Sequence, residues 1–248
     1  MPRATRYLVE GYTYRLTHRC HDKRFLLRFS RERDLYREWL RVGAKRYRVP
    51  VFGYCLTSSH VHVVAHADNR EAIGLMMGLA SGVVAKQLNE RKSHEGSVWE
   101  HPYQCTMIQD GRHLLNCLRY VDLNMFRAGV VSHPQGWRWC GFDELTGRRK
   151  RYRILNIERL LQCANINSAA ELARFHSEFV QEAIQQLKRE REPHWTEAVA
   201  VGDQEFVRLA AAEFTHRQSF RENTVTDTTE LPTWIIREPA ERYKPSLD

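Results

Sequence analysis

Apolar positions in the first half of the chain switch repeatedly between period two and a helical period. Residues 12–18 (YTYRLTH) alternate and are rich in β-formers, which predicts a strand. From Ser30, a possible N-cap, Leu35, Trp39, Leu40 and Val42 recur at helical spacing through 48, and Pro50 ends the stretch. VFGYCL at 51–56 and HVHVVAHA at 60–67 read as two strands around a short TSS link, a hairpin. Residues 70–91 are helical in pattern, HEGS at 94–97 is a turn, YQCTMIQ at 103–109 is a strand, and a third helix starts near Asp110 and includes HLLNCLRYVDLN. Strand, helix, two strands, helix and strand is the order of a ferredoxin-like α+β sandwich, in which two helices cover one sheet face.

The pattern changes beyond WRWCGFDEL. The run RRKRYR at 148–153 marks an expected boundary near 150, so that residues 1–150 form one domain. Residues 168–190 and 203–218 look helical, with caps at Ser168 and Asp203, which predicts a small helical accessory domain over 151–221. From 222 to 248 the Thr- and Pro-containing sequence has little periodicity and reads as an extended or mobile tail.

Charge sharpens this division. Residues 1–153 hold 27 Lys and Arg against 14 Asp and Glu, a balance of +13, whereas 154–248 carry −5. A basic first part points to a polyanionic partner, and truncation near 153 is expected to leave single-strand binding intact. KRYR at 45–48 and RRKRYR interleave Tyr with basic residues, suiting phosphate contacts and stacking on exposed bases, so Arg46, Arg48, Arg148, Arg149, Lys150 and Arg151 are candidate DNA contacts. The six cysteines form no C-x-x-C pair and read as reduced. No apolar stretch reaches membrane-spanning length and no secretory h-region is present, so the expected location is the cytoplasm, with no membrane partner.

Candidate chemistry sits in two segments. On a strand at 60–67, His60, His62, Val64 and His66 share one face while Val61, Val63 and Ala65 take the other, so His60 and His62 project together and can share a divalent metal. On a helix at 112–125, Leu114, Leu118, Val121 and Met125 form the core arc, and Asn116, Tyr120 and Asn124 lie on a separate stripe. Tyr120 and Asn124 are thereby presented side by side. Their ordinary alternatives are a ring packed at the helix edge and a C-cap ahead of Gly129.

GYCLTSSHVHVVAHA, GSVWEHPY and LLNCLRYVDLNMFRAGVVSHPQGWRWCGF together resemble successive landmarks of the single-tyrosine HUH transposases, specifically the tyrosine transposases associated with repetitive extragenic palindromes. The resemblance covers roughly residues 7–155. It differs from the usual pattern at Ser59, at Met125-Phe126 and at His101-Pro102.

The resemblance implies an HUH endonuclease sandwich that cuts and transfers single-stranded or hairpin DNA. It implies Mg²⁺ or Mn²⁺ on His60, His62 and Asn124, and Tyr120 as nucleophile forming a 5′-phosphotyrosine. An unperturbed phenol needs help from the metal field, a base, or a cation such as Arg119 or Arg127, also candidate DNA contacts. No nucleotide cofactor is expected, since no G-x-x-x-x-G-K-[ST] loop is present. Monomer and dimer both remain open. Two other readings stand beside this one: a DNA-binding regulator that has lost useful cleavage, and structural Zn²⁺ held by His60, His62, His66 and a cysteine.

Overall fold

A computed structural model describes residues 8–92, 96–100, 102–187, 190–214, 220–225 and 231–238. The alternating segments are strands β1 (Thr13–Arg19), β2 (Val51–Leu56), β3 (His60–His66) and β4 (Gln104–Ile108). The helical patterns between them are α1 (Ser30–Arg46) and α2 (Arg70–Lys92). β1 lies between β3 and β4, antiparallel to both, and β2 closes the hairpin onto β3. The expected α+β sandwich is therefore present. Ser30 is the first helical residue rather than the cap, which is Phe29.

Period two assigns the faces. Tyr14, Leu16 and His18 of β1 sit in register with Ala65, Val63 and Val61 of β3 on one side. The His18 ring stacks on Trp99, whose indole meets Tyr36 of α1 and donates to the Ser81 carbonyl of α2. α1 and α2 thus cover this face. On the other side Arg19, Thr17 and Thr13 oppose His60, His62 and His66. That face is covered by α3 (Arg112–Asp122), followed after Leu123 by the short α4 (Asn124–Arg127). Gly53 admits α3 closely: a Cβ there would lie 2.6 Å from Leu118 Cδ2.

The segment after 140 departs from the expectation. Within α5 (Phe142–Leu145), buried Glu144 accepts from the Ile154 and Leu155 amides, from Tyr54 Oη, and from Arg37 at 3.1 Å. Arg149 donates to the same Tyr54 oxygen. The basic run is tied into the fold around a buried carboxylate, because an unpaired one there would be costly. α6 (Ile157–Ala164), which the sequence reading missed, starts where the Asn156 side chain accepts from the Arg159 amide. α7 (Ala169–Gln185) is capped by Ser168 as expected and joins α3 through a buried Asp122–His176 contact of 2.8 Å.

The remaining C-terminal residues are not purely helical, nor does the chain become irregular at 222. α8 (His194–Glu197) leads into β5 (Ala200–Gly202), then α9 (Gln204–Phe214), β6 (Arg221–Val225) and β7 (Thr233–Arg237). β5 pairs parallel with β4, and β7 lies between β5 and β6, so one sheet runs β2-β3-β1-β4-β5-β7-β6 across the expected boundary near 150. These strands escape pattern analysis for a physical reason. β5 is three residues long, and β7 buries consecutive Ile235 and Ile236, so neither displays alternation. The HEGS turn and the end of the expected tail fall largely outside the described residues.

Candidate active site

The start of β3 delivers His60 and His62 to one end of the sheet, their rings nearly parallel with centroids 5.9 Å apart. Tyr120 near the end of α3, Asn124 at the start of α4, and Arg127 line the same open cleft of about 1640 Å³. Two imidazoles, a phenol and an amide from separate segments therefore meet in one cavity. The helix is broken at Leu123 rather than continuous. Asn124 Nδ2 donates to the Val121 and Tyr120 carbonyls, which leaves the amide oxygen as the remaining polar atom of its side chain. The C-cap ahead of Gly129 is Ala128 and that of α3 is Leu123, so Asn124 is the first residue of α4 rather than a C-cap.

Electrostatics keep both imidazoles neutral. Burial, then the Arg19 and Arg15 guanidiniums, push His60 down to about 4. Burial followed by Arg15 also holds His62 well below its ordinary value. Neutral imidazoles and an amide oxygen are the donor types a divalent cation needs. Their lone pairs are nonetheless engaged. Arg19 Nε donates to His60 Nε2 at 2.8 Å, and Arg15 Nη2 lies 3.0 Å from His62 Nδ1, where a guanidinium can only donate. Ser59 Oγ sits 2.8 Å from His60 Nδ1, so the unusual Ser59 orients the ring.

Sequence reasoning missed Arg15. Its fully buried guanidinium donates to Thr17 Oγ1 and to the Trp195 carbonyl and lies over the Tyr120 ring. Arg127 covers the same ring at 3.9 Å. The pairing register that sets Thr17 opposite His62 and Arg19 opposite His60 carries this information. Composition and local pattern do not.

The other expected DNA contacts are scattered. Arg119 is buried with its guanidinium 3.9 Å from the Phe179 ring of α7, so it faces the helical layer and not the cleft. Arg46 and Arg48 are exposed at the far end of α1, and Arg148, Lys150 and Arg151 are exposed but outside the cleft lining. Arg149 is occupied by Tyr54, the Arg138 carbonyl and Glu144. The basic side chains lining the cleft are Arg19, Arg24, Arg28, Arg127, Arg191 and Arg237, against Glu100, Glu197 and Glu238. Two of those arginines come from the net-acidic C-terminal part.

Tyr103 also borders the cleft, but its hydroxyl is buried on the α2 side, 3.7 Å from where a Cβ on Gly74 would lie. Among the described residues one His/Cys/Asp/Glu group has metal-binding geometry: His66, Asp110 and Cys163, whose donor atoms lie within 4.8 Å of one another. Only His66 belongs to the histidine set considered for structural zinc, and it stands at the opposite end of β3 from His60. No helix among the described residues is long and apolar enough to cross a membrane.

Residues 8–124, a little under half of the chain, match the family model described as "Transposase IS200 like". No curated protein matches. Among solved structures, a REP-associated tyrosine transposase bound to a REP hairpin is similar at 15% identity, covering 60% of this chain and 87% of that one with a TM-score of 0.47.

Proposed function

We propose, from an IS200-like transposase region spanning residues 8–124, that this chain cuts and rejoins single-stranded DNA through a covalent bond to Tyr120. The observation that carries the reading is the meeting of His60, His62, Tyr120 and Asn124 in one arginine-lined cleft. In the first step the Tyr120 oxygen attacks phosphorus and loses its proton. The P–O3′ bond breaks, giving a 5′-phosphotyrosine and a free 3′-hydroxyl, and attack by a 3′-hydroxyl reverses the step. The covalent bond retains the phosphodiester energy, so rejoining needs no nucleotide cofactor.

His60, His62 and Asn124 are the residues that would hold Mg²⁺ or Mn²⁺, and the bound cation would polarise the scissile phosphate. Arg19 must first release the His60 lone pair, and Arg15 that of His62. An entering phosphate offers Arg19, which lines the cleft, a stronger, bidentate partner than a neutral imidazole, while buried Arg15 has Thr17 Oγ1 and the Trp195 carbonyl as its other partners. Arg127 screens charge beside Tyr120, while Trp195 fixes Arg15 through its carbonyl. Hairpin DNA with an unpaired flank is the proposed substrate, because a cleft of this size and charge suits one strand with splayed bases.

The test is to incubate the full chain with a labelled hairpin oligonucleotide and Mn²⁺, then look for a denaturation-resistant adduct mapped to Tyr120. The engagement of both imidazoles by arginine favours one second reading, DNA binding without cleavage. Tight, salt-sensitive binding with no adduct would select it.

A further inference from the structure

The loop between β1 and α1 holds two phenylalanines in a costly position. Phe25 is 68% exposed and Phe29 60% exposed, although burying a side chain of this kind stabilises a fold by about 1.5–3 kcal/mol. Both border the cleft that contains His60 and Tyr120. Their exposure is not slackness in the backbone. Between them Leu27 is fully buried, its amide donates to the Ser58 carbonyl at 2.9 Å, and Arg33 Nη1 donates to the Leu27 and Arg28 carbonyls. The turn entering the loop is strained, with Asp22 and Lys23 both left-handed at φ 52° and 55°. A fixed backbone therefore directs two aromatic rings outward.

We propose that Arg24–Phe29 is a base-stacking platform for the unpaired DNA strand adjoining the scissile phosphate, with Phe25 and Phe29 each taking the face of a base. This rests on the function proposed above and names the subsite for the flank. Each aromatic follows an arginine: Arg24 precedes Phe25, and Arg28 precedes Phe29 with its guanidinium 5.7 Å from that ring. Alternating cation and aromatic matches alternating phosphate and base, and an apolar protein partner would not call for the two arginines. Duplex DNA is a poor fit because its base faces are covered by neighbours. The platform reads no sequence, since every base has a π-face; it selects unpaired over paired.

The experiment compares full-length wild type with Phe25→Ala, Phe29→Ala and Phe29→Trp, each checked for a wild-type melt. Binding is measured to a blunt hairpin and to the same hairpin carrying an unpaired flank with 2-aminopurine. Each alanine variant is expected to bind the flanked hairpin roughly tenfold more weakly, with less change in 2-aminopurine fluorescence and unaltered binding of the blunt hairpin. Phe29→Trp should restore affinity. Equal affinity for the flanked hairpin in the alanine variants overturns the proposal, as does equal weakening on both DNAs. A loss of self-association with DNA binding untouched also overturns it, assigning the face to a second copy. Adduct formation is scored separately. Flank-dependent binding without an adduct leaves the platform standing and removes the cutting reaction, and an adduct with flank-independent binding does the reverse.

Discussion

Replacing Arg19 with alanine is expected to strengthen Mn²⁺ binding to the DNA-free protein while weakening its hold on single-stranded DNA. The Arg19–His60 hydrogen bond is 2.8 Å and charge-assisted, a class that contributes about 1.5–3 kcal/mol where water is excluded. The Arg19 side chain is 39% exposed and has Glu100 at 3.7 Å as another partner, so vacating the lone pair costs about 1 kcal/mol. Removing that competitor gives a roughly fivefold gain in cation affinity. The same change deletes one phosphate contact, so the salt slope of DNA binding should fall by about one. Mn²⁺ affinity is read by electron paramagnetic resonance of the free ion, and DNA affinity by anisotropy across a salt series. Opposite signs are the signature of a residue shared between imidazole and phosphate. Weaker or unchanged Mn²⁺ binding would refute the competition, and a joint loss of both affinities would reveal a merely structural arginine.

Tyr120→Phe should abolish the adduct and leave DNA binding nearly unchanged, whereas Tyr103→Phe should keep it, because the Tyr103 hydroxyl is buried on the α2 side; peptide mapping decides. Lowering the pH should destabilise the fold. With the His60 value depressed from 6.5 to about 4, the unfolded chain takes up the proton first, so this contribution is complete above the unfolded value and is lost as pH falls towards about 4. His62, lowered for the same reason, adds to the trend, which melts over a pH series would record; a melting temperature flat across this window would contradict it. Ending the chain near 153 is expected to abolish a cooperative melt, because it exposes the β4 edge and removes buried Trp195, Ile235 and Ile236. A folded truncation that still binds DNA would restore the division of labour that charge alone suggests. Gly53→Ala should cost about 1–3 kcal/mol in a denaturant titration, since its Cβ would lie 2.6 Å from Leu118 Cδ2 and that fully buried side chain must shift.

The sequence by itself determined the four N-terminal strands, α1 and α2, and which faces of their elements carry His60, His62, Tyr120 and Asn124. Each follows from interactions local in sequence. Period two separates Val61 and Val63 from His60 and His62 whatever lies beyond the strand, and the helical period separates Tyr120 from Leu118 and Val121. Net charge was a poorer guide. It counts Arg119 and Arg149 as surface cations, although one packs on Phe179 and the other compensates buried Glu144.

Only the tertiary structure decided which arginines reach the cleft and what supports them. Arg15 and Arg19 meet the histidines through cross-strand register, and Trp195 meets Arg15 across 180 residues. Register is fixed by pairing between distant segments, so it leaves no local periodic trace. The same holds for β5 and β7. A strand of three residues, or one with both faces buried, has no alternation to read, and it becomes a strand only because a neighbouring edge, β4 for β5 and then β5 for β7, offers it hydrogen-bond partners.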